Sequence, residues 1–227
     1  MDSYLLGWIL IGASLIISIL SRWYINHTYN KYSEVFCENG VNGAEAARRI
    51  LDNNGLQGDA VNSVPGTLTD HYNPANKSVN LSEKIYTEKS VASVAIAAHE
   101  CGHAIQDGRG YFFLRLRHAM VPVTNIASYA GYIAIMIGAM ASLFNLIMIG
   151  IVCEFVIFAF HAITLPVEFN ASSRGLAQIK QLGLLNASEY RGGRKVLVAA
   201  ALTYVAAATA ALMQVIRLLL IFTRRRD

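Results

Sequence analysis

Apolar residues in this chain gather into long runs, and polar residues fill the stretches between them. The first run, Tyr4 to Leu20, has 17 residues and no charge, and Arg22, Trp23 and Tyr24 follow it. About 20 helical residues cross a bilayer core, so 4–20 reads as a short span ending in an interfacial aromatic belt. A cleaved signal peptide is the competing reading. Asp2 in place of a basic leader, and no small-x-small site after the run, argue against it. A second run, Ala119 to Leu165, has 47 residues, too many for one helix. It reads as two spans, 119–140 and 143–165, joined by a tight turn near Ser142 to Asn145. Pro122 then falls in the first turn of the earlier one, where proline is tolerated. The last run, 196–222, is rich in alanine, which favours close helix packing, and Arg217 interrupts it.

The polar stretches, 26–118 and 166–195, show shorter patterns. Asn42-Gly43-Ala44-Glu45 resembles a capping box opening a helix through Asp52, which Asn53, Asn54 and Gly55 end. Between Asp59 and Ser82, short alternating runs around Pro65-Gly66 and Asn73-Pro74 predict a small antiparallel hairpin or three short strands. Ser82-Glu83-Lys84 starts a short helix, and Ser90 to Gln106 predicts a longer buried one. Asn170 to Lys195 reads as a polar helix and loop punctuated by Leu182-Gly183 and Gly192-Gly193.

Composition supports a membrane protein: 54% of residues are hydrophobic and 15% charged, against about 25% charged in soluble domains. The net charge of +4 owes much to Arg224, Arg225 and Arg226, which suit a membrane-interface anchor. No aromatic-interleaved basic patch points to nucleic acid. Cys37, Cys101 and Cys153 form neither a disulfide framework nor a CxxC zinc pattern.

The chemistry lies in the 90–106 helix, within His99-Glu100-Cys101-Gly102-His103. Residues four apart on a helix are about 40° apart in rotation and about 6 Å along the axis. His99 and His103 can therefore reach one zinc ion, while Glu100, roughly 100° round from His99, is placed to act as general base. Between the ligands, Cys101 reads as a small structural side chain. Glu154, His161 and Glu168 recur every seven residues, on one helix face within about 20°. Ionisable groups inside a span are costly and mark function or a helix-orienting hydrogen bond. Glu168, at the predicted membrane edge after Pro166, is the expected third zinc ligand. Two His and one Glu leave an open coordination position, as catalytic zinc sites do. His161, Arg174 and Tyr72 are candidates for stabilising an oxyanion, and His71 reads as a local turn residue. Four spans put both termini on one side of the membrane and both catalytic pieces on the other. Lys and Arg in the catalytic loops favour a cytoplasm-facing site, against the vote of the C-terminal arginines.

Four blocks, LTDHYNP (Leu68 to Pro74), AAHECGHAIQ (Ala97 to Gln106), TLPVEFNAS (Thr164 to Ser172) and AAALTYVAA (Ala199 to Ala207), carry a resemblance. In this order they resemble the YugP-type neutral zinc metallopeptidases, small multi-pass bacterial membrane proteins, over nearly the whole chain. The resemblance implies a membrane-bound zinc endopeptidase with Zn2+ on His99, His103 and Glu168 and the base at Glu100. More distantly, the site is similar to HtpX-type and CAAX-prenyl proteases, where an Asp follows the ligand Glu by four residues; here that position is Ser172.

The expected fold is mainly α, a polytopic helical membrane protein of about four transmembrane helices with a small α+β zincin-like zinc-binding portion. Residues 1–227 are read as one peptidase domain. Expected partners are the lipid bilayer and a polypeptide substrate, with a membrane-protein substrate, a gating partner or an oligomer left open. Two alternatives stand beside it. One is an intramembrane-cleaving protease, which the charged flanks Glu83, Lys84, Glu88, Lys89 and Asp107 of the motif disfavour. The other is a non-proteolytic membrane scaffold or regulator with structural zinc, which would normally need four protein ligands.

Overall fold

The computed structural model describes residues 3–224. Asp2 and the terminal Arg225 and Arg226 lie outside the described residues, so the leader and anchor readings drawn from them are not addressed by it. In chain order the elements are α1 (Ser3–Ser33), α2 (Gly43–Asn53), β1 (Ala60–Val64), β2 (His71–Asn73), β3 (Ser78–Ser82) and α3 (Glu83–Thr87). Then follow α4 (Val91–Gly108), α5 (Phe112–Met140), α6 (Phe144–Gln181) and α7 (Ala187–Arg224). Four helices among the described residues are long and apolar enough to cross a membrane: Leu5–Ser33, Phe112–Met140, Phe144–Gln181 and Ala187–Phe222. The protein is mainly α and polytopic.

These helices overrun the spans expected from hydropathy. α1 continues past Tyr24 to Ser33, because no Gly or Pro interrupts the chain between Gly12 and Gly40. α5 begins at Phe112 rather than Ala119, which puts Pro122 inside the helix instead of in its first turn. α6 does not stop near Pro166 but runs through it to Gln181. Each proline removes one N–H, leaving the carbonyl four residues earlier (His118 or Ala162) without that bond, and helix on both sides outweighs the loss. Gly192 and Gly193, read as punctuation, lie inside α7. A Cβ on Gly192 would come within 2.6 Å of the Tyr32 ring, so this glycine serves close packing rather than a turn. The start of α7 is instead marked by a capping box. Asn186 Oδ1 accepts from the Glu189 N–H at 2.9 Å and Glu189 Oε2 accepts from the Asn186 N–H at 2.8 Å.

The chain divides into two compact units. One holds residues up to Arg22, Arg115–Leu165 and residues from Leu202. Its outward side chains are apolar, among them Trp8, Ile19, Ile126 and Met140, as lipid-facing helices require. Here Ser14, Ser18 and Thr209 return their hydroxyls to carbonyls three or four residues back in their own helices. Near Glu154, Gln214 Oε1 accepts from Arg217 at 3.0 Å.

The other unit, Trp23–Leu114 and Pro166–Ala201, carries the motif. Its sheet has the order β1-β3-β2: β1 runs parallel to β3, with Ala60 opposite Ser78, and β2 antiparallel, with His71 opposite Asn80. Three short strands form, as expected: β2 and β3 make the antiparallel hairpin, and β3, placed between β2 and β1, runs parallel to β1, so the sheet is mixed. Every residue of the central β3 is buried. α2 opens on the expected capping box, with Asn42 Oδ1 accepting from the Glu45 N–H at 2.8 Å. Its buried face, Ala46, Ala47, Ile50 and Leu51, packs in one core with Val79, Leu81 and the apolar residues of α4. Ser90 caps the N-terminus of α4, its Oγ accepting from the Ser93 N–H at 3.1 Å. Its small side chains are buried on almost every face.

Candidate metal centre

α4 and α6 meet backbone to backbone. A Cβ on Gly102 would lie 2.2 Å from the Ala171 carbonyl oxygen, and one on Gly175 would lie 2.5 Å from that of Ala98. Only glycine at both points allows this approach. Its consequence is local: His99 and His103 flank Gly102 on α4, and Glu168 lies one turn before Ser172 on α6.

Three of the predicted residues come together here. The donor atoms of His99, His103 and Glu168 all lie within 4.8 Å of one another, a group that could hold a metal ion. Glu168 Oε2 stands 3.3 Å from His99 Nε2 and 3.6 Å from His103 Nε2. Two ligands about 2.0–2.1 Å from a tetrahedral zinc lie roughly 3.3–3.4 Å apart, so these spacings and the His/His/Glu donor set fit zinc. Both imidazoles present Nε2, and their rings meet edge to face at 4.8 Å between centroids. Glu168 is only 1% exposed, so water contributes little to its solvation and the imidazole edges face its charge.

Each histidine is held from behind at Nδ1. Ser172 Oγ sits 3.0 Å from His99 Nδ1, so a hydroxyl stands where the distantly similar proteases have an Asp. Gln106 Oε1 sits 3.0 Å from His103 Nδ1. The sequence shows Ser172 only as a position without a carboxylate and Gln106 only as the end of a buried helix; neither contact is written in a local pattern.

Glu100 is buried beside the three, 7% exposed. Burial pushes its carboxyl up to about 7, against the pull of His99 and the Tyr72 backbone amide, with Glu168 and Asp70 adding to the rise. Burial also raises the Asp70 carboxyl, although it accepts the Ser82 N–H at 2.7 Å and the Ser82 hydroxyl. His71 is exposed and contacts the Thr69 carbonyl at 2.9 Å, a local turn contact.

The oxyanion candidates separate. The Tyr72 hydroxyl donates to Asp107 Oδ2 at 2.9 Å, and Lys77 joins the same carboxylate. Burial and Asp107 both push the Tyr72 hydroxyl pKa up. Arg174 Nε donates to Asn170 Oδ1 at 2.6 Å, with its guanidinium 6.0 Å from the centre of the Tyr111 ring. His161 belongs to the other unit and is not part of the three-residue group. Cys101 is buried, with its thiol 3.6 Å from the Ala47 carbonyl, in the small structural role expected of it.

Residues 7–223 match the family described as "Putative neutral zinc metallopeptidase". The chain belongs to this family. It is also 44% identical over 215 residues to a Bacillus subtilis (strain 168) protein named "Putative membrane protease YugP", covering 95% of this chain and 96% of that one. No solved structure matches. The metallopeptidase match and the four long apolar helices together make this a multi-pass membrane protein of a zinc metallopeptidase family.

Proposed function

We propose that the protein is a membrane-bound zinc endopeptidase in which His99, His103 and Glu168 hold the metal and Glu100 is the general base. The observation that carries this reading is the convergence of the three donors within 4.8 Å beside a buried carboxylate. Zinc, when bound, polarises the scissile carbonyl and brings the pKa of water near neutrality. The two imidazoles bind through Nε2, and Glu168 supplies the one negative charge of the ligand set. Glu100 accepts a proton from the attacking water at its carboxylate and returns it to the leaving amine. The substrate is a polypeptide close to the bilayer, with the site facing the cytoplasm, as the basic residues of the polar segments favour.

Purified full-length protein in detergent should carry about one zinc per chain and cut an unstructured protein in a chelator-sensitive way. His99→Ala and Glu168→Ala should lose metal and activity together. Glu100→Gln should keep the metal and lose cleavage by at least roughly 100-fold. Zinc without any cleavage by the unaltered protein would favour the scaffold instead, and normal turnover by Glu100→Gln would reject Glu100 as base.

A further inference from the structure

Gln106 is fully buried on α4, three residues after His103. Its amide has one possible orientation. Nε2 donates to the Val167 carbonyl at 2.8 Å, and a carbonyl only accepts. The other end, Oε1, therefore faces His103 Nδ1 at 3.0 Å. An amide oxygen also only accepts, so Nδ1 must carry the imidazole proton. His103 Nε2 is then the bare nitrogen, and it is the atom that faces Glu168 Oε2.

The same Nε2 of Gln106 lies 3.1 Å from Asn170 Oδ1, which also accepts from Arg174 Nε at 2.6 Å. Gln106 thus grips α6 at Val167 and Asn170, on both sides of Glu168. A histidine that binds metal usually gives its other N–H to a carboxylate, a backbone carbonyl or water. Here the line runs through two neutral amides and ends on a guanidinium.

We propose that Gln106 is a positioning residue of the metal centre. It holds His103 in the Nδ1–H form and fixes that ring to the stretch of α6 that carries Glu168, within a His103–Gln106–Asn170–Arg174 relay. The inference rests on the zinc reading above, and it adds what sets the tautomer and aim of one ligand. Because the ring and the Glu168 segment share one anchor, the donor set is assembled before metal arrives.

The test is Zn2+ and Co2+ affinity of the full chain in detergent, measured by competition with a chromophoric chelator, with thermal unfolding as the check on folding. Gln106→Met keeps the length and drops all the hydrogen bonds; it should weaken metal binding by about 10–100-fold. Gln106→Glu keeps an acceptor for His103 Nδ1 but loses the donors to Val167 and Asn170, and should bind metal more tightly than the Met variant. A residue that only glued α4 to α6 would give no such recovery. A folded Gln106→Met variant with unchanged affinity, or a Glu variant no better than Met, overturns the proposal. Should a variant fail to fold, nitrogen NMR of histidine-labelled, zinc-loaded unaltered protein decides. Metal-bound rings protonated at Nδ1 support the proposal, and a metal-bound His103 protonated at Nε2 overturns it. Unaltered protein that takes up no metal overturns the zinc reading itself, and this inference with it.

Discussion

Gly102→Ala adds one methyl group at the crossing of α4 and α6, and the structure says how much room it lacks. The new carbon would sit 2.2 Å from the Ala171 oxygen, 2.8 Å from its carbonyl carbon and 3.0 Å from its Cα. All three are backbone atoms, so no rotamer change relieves the clash. Ordinary contact begins near 3.4 Å, so the helices must part by roughly 1 Å. Metal–ligand distances tolerate only about 0.2 Å, and the parting helices carry His99 and His103 on one side and Glu168 on the other. We expect a stability loss of about 1–3 kcal/mol from overpacking and a fall in zinc affinity of at least about tenfold. Chelator competition and thermal unfolding of the full chain in detergent measure both. Gly12→Ala, inside α1 where a Cβ meets nothing within 4 Å, is the control: it should leave zinc affinity unchanged and, as Ala replacing a helical Gly, should not lower stability. Wild-type zinc affinity in folded Gly102→Ala would refute the claim that backbone contact at this glycine sets the ligand spacing.

Further outcomes follow from the same geometry. Tyr72→Phe removes a hydroxyl that donates to Asp107 rather than toward the metal group, so cleavage should stay within a few-fold while stability falls by about 1 kcal/mol; a collapse in kcat at unchanged stability would restore Tyr72 as an oxyanion donor. Ser172→Ala frees the His99 ring at Nδ1 and should lower zinc affinity by roughly tenfold, read by the same competition assay. Burial raises the Asp70 carboxyl, so the folded protein holds that proton more tightly than the unfolded chain does. Asp70 therefore takes stability away as pH rises from the ordinary carboxylate range through its raised folded value. Asp70→Asn keeps an acceptor for Ser82 and should gain on the unaltered protein as pH rises across that window, in thermal unfolding followed against pH; a constant difference between the two would reject the assignment.

Much of this protein could be read from its residues in order. The apolar runs announce four membrane helices because a bilayer core demands uninterrupted apolar length, a demand local sequence meets or fails by itself. Asn42 and Glu45 announce α2 because a capping box is made by residues three apart. His99 and His103 announce a shared face because helix geometry alone aligns them. The helix ends were less legible. α1, α5 and α6 run past their apolar stretches because hydropathy reports where lipid begins, not where a helix stops, and the reciprocal caps of Asn186 and Glu189 mark where α7 begins.

What no local pattern could supply is anything made by residues far apart in the chain. The parallel pairing of β1 with β3 arises because the chain, after β2, returns to place β3 between β1 and β2. The meeting of Glu168 with two imidazoles more than sixty residues earlier depends on Gly102 packing on the Ala171 backbone and Gly175 on the Ala98 backbone. The partners behind the rings, Ser172 and Gln106, have ordinary side chains whose roles arise from position alone. Periodicity and caps are short-range physics and are written in consecutive residues, whereas a metal-sized gap exists only once two helices have packed.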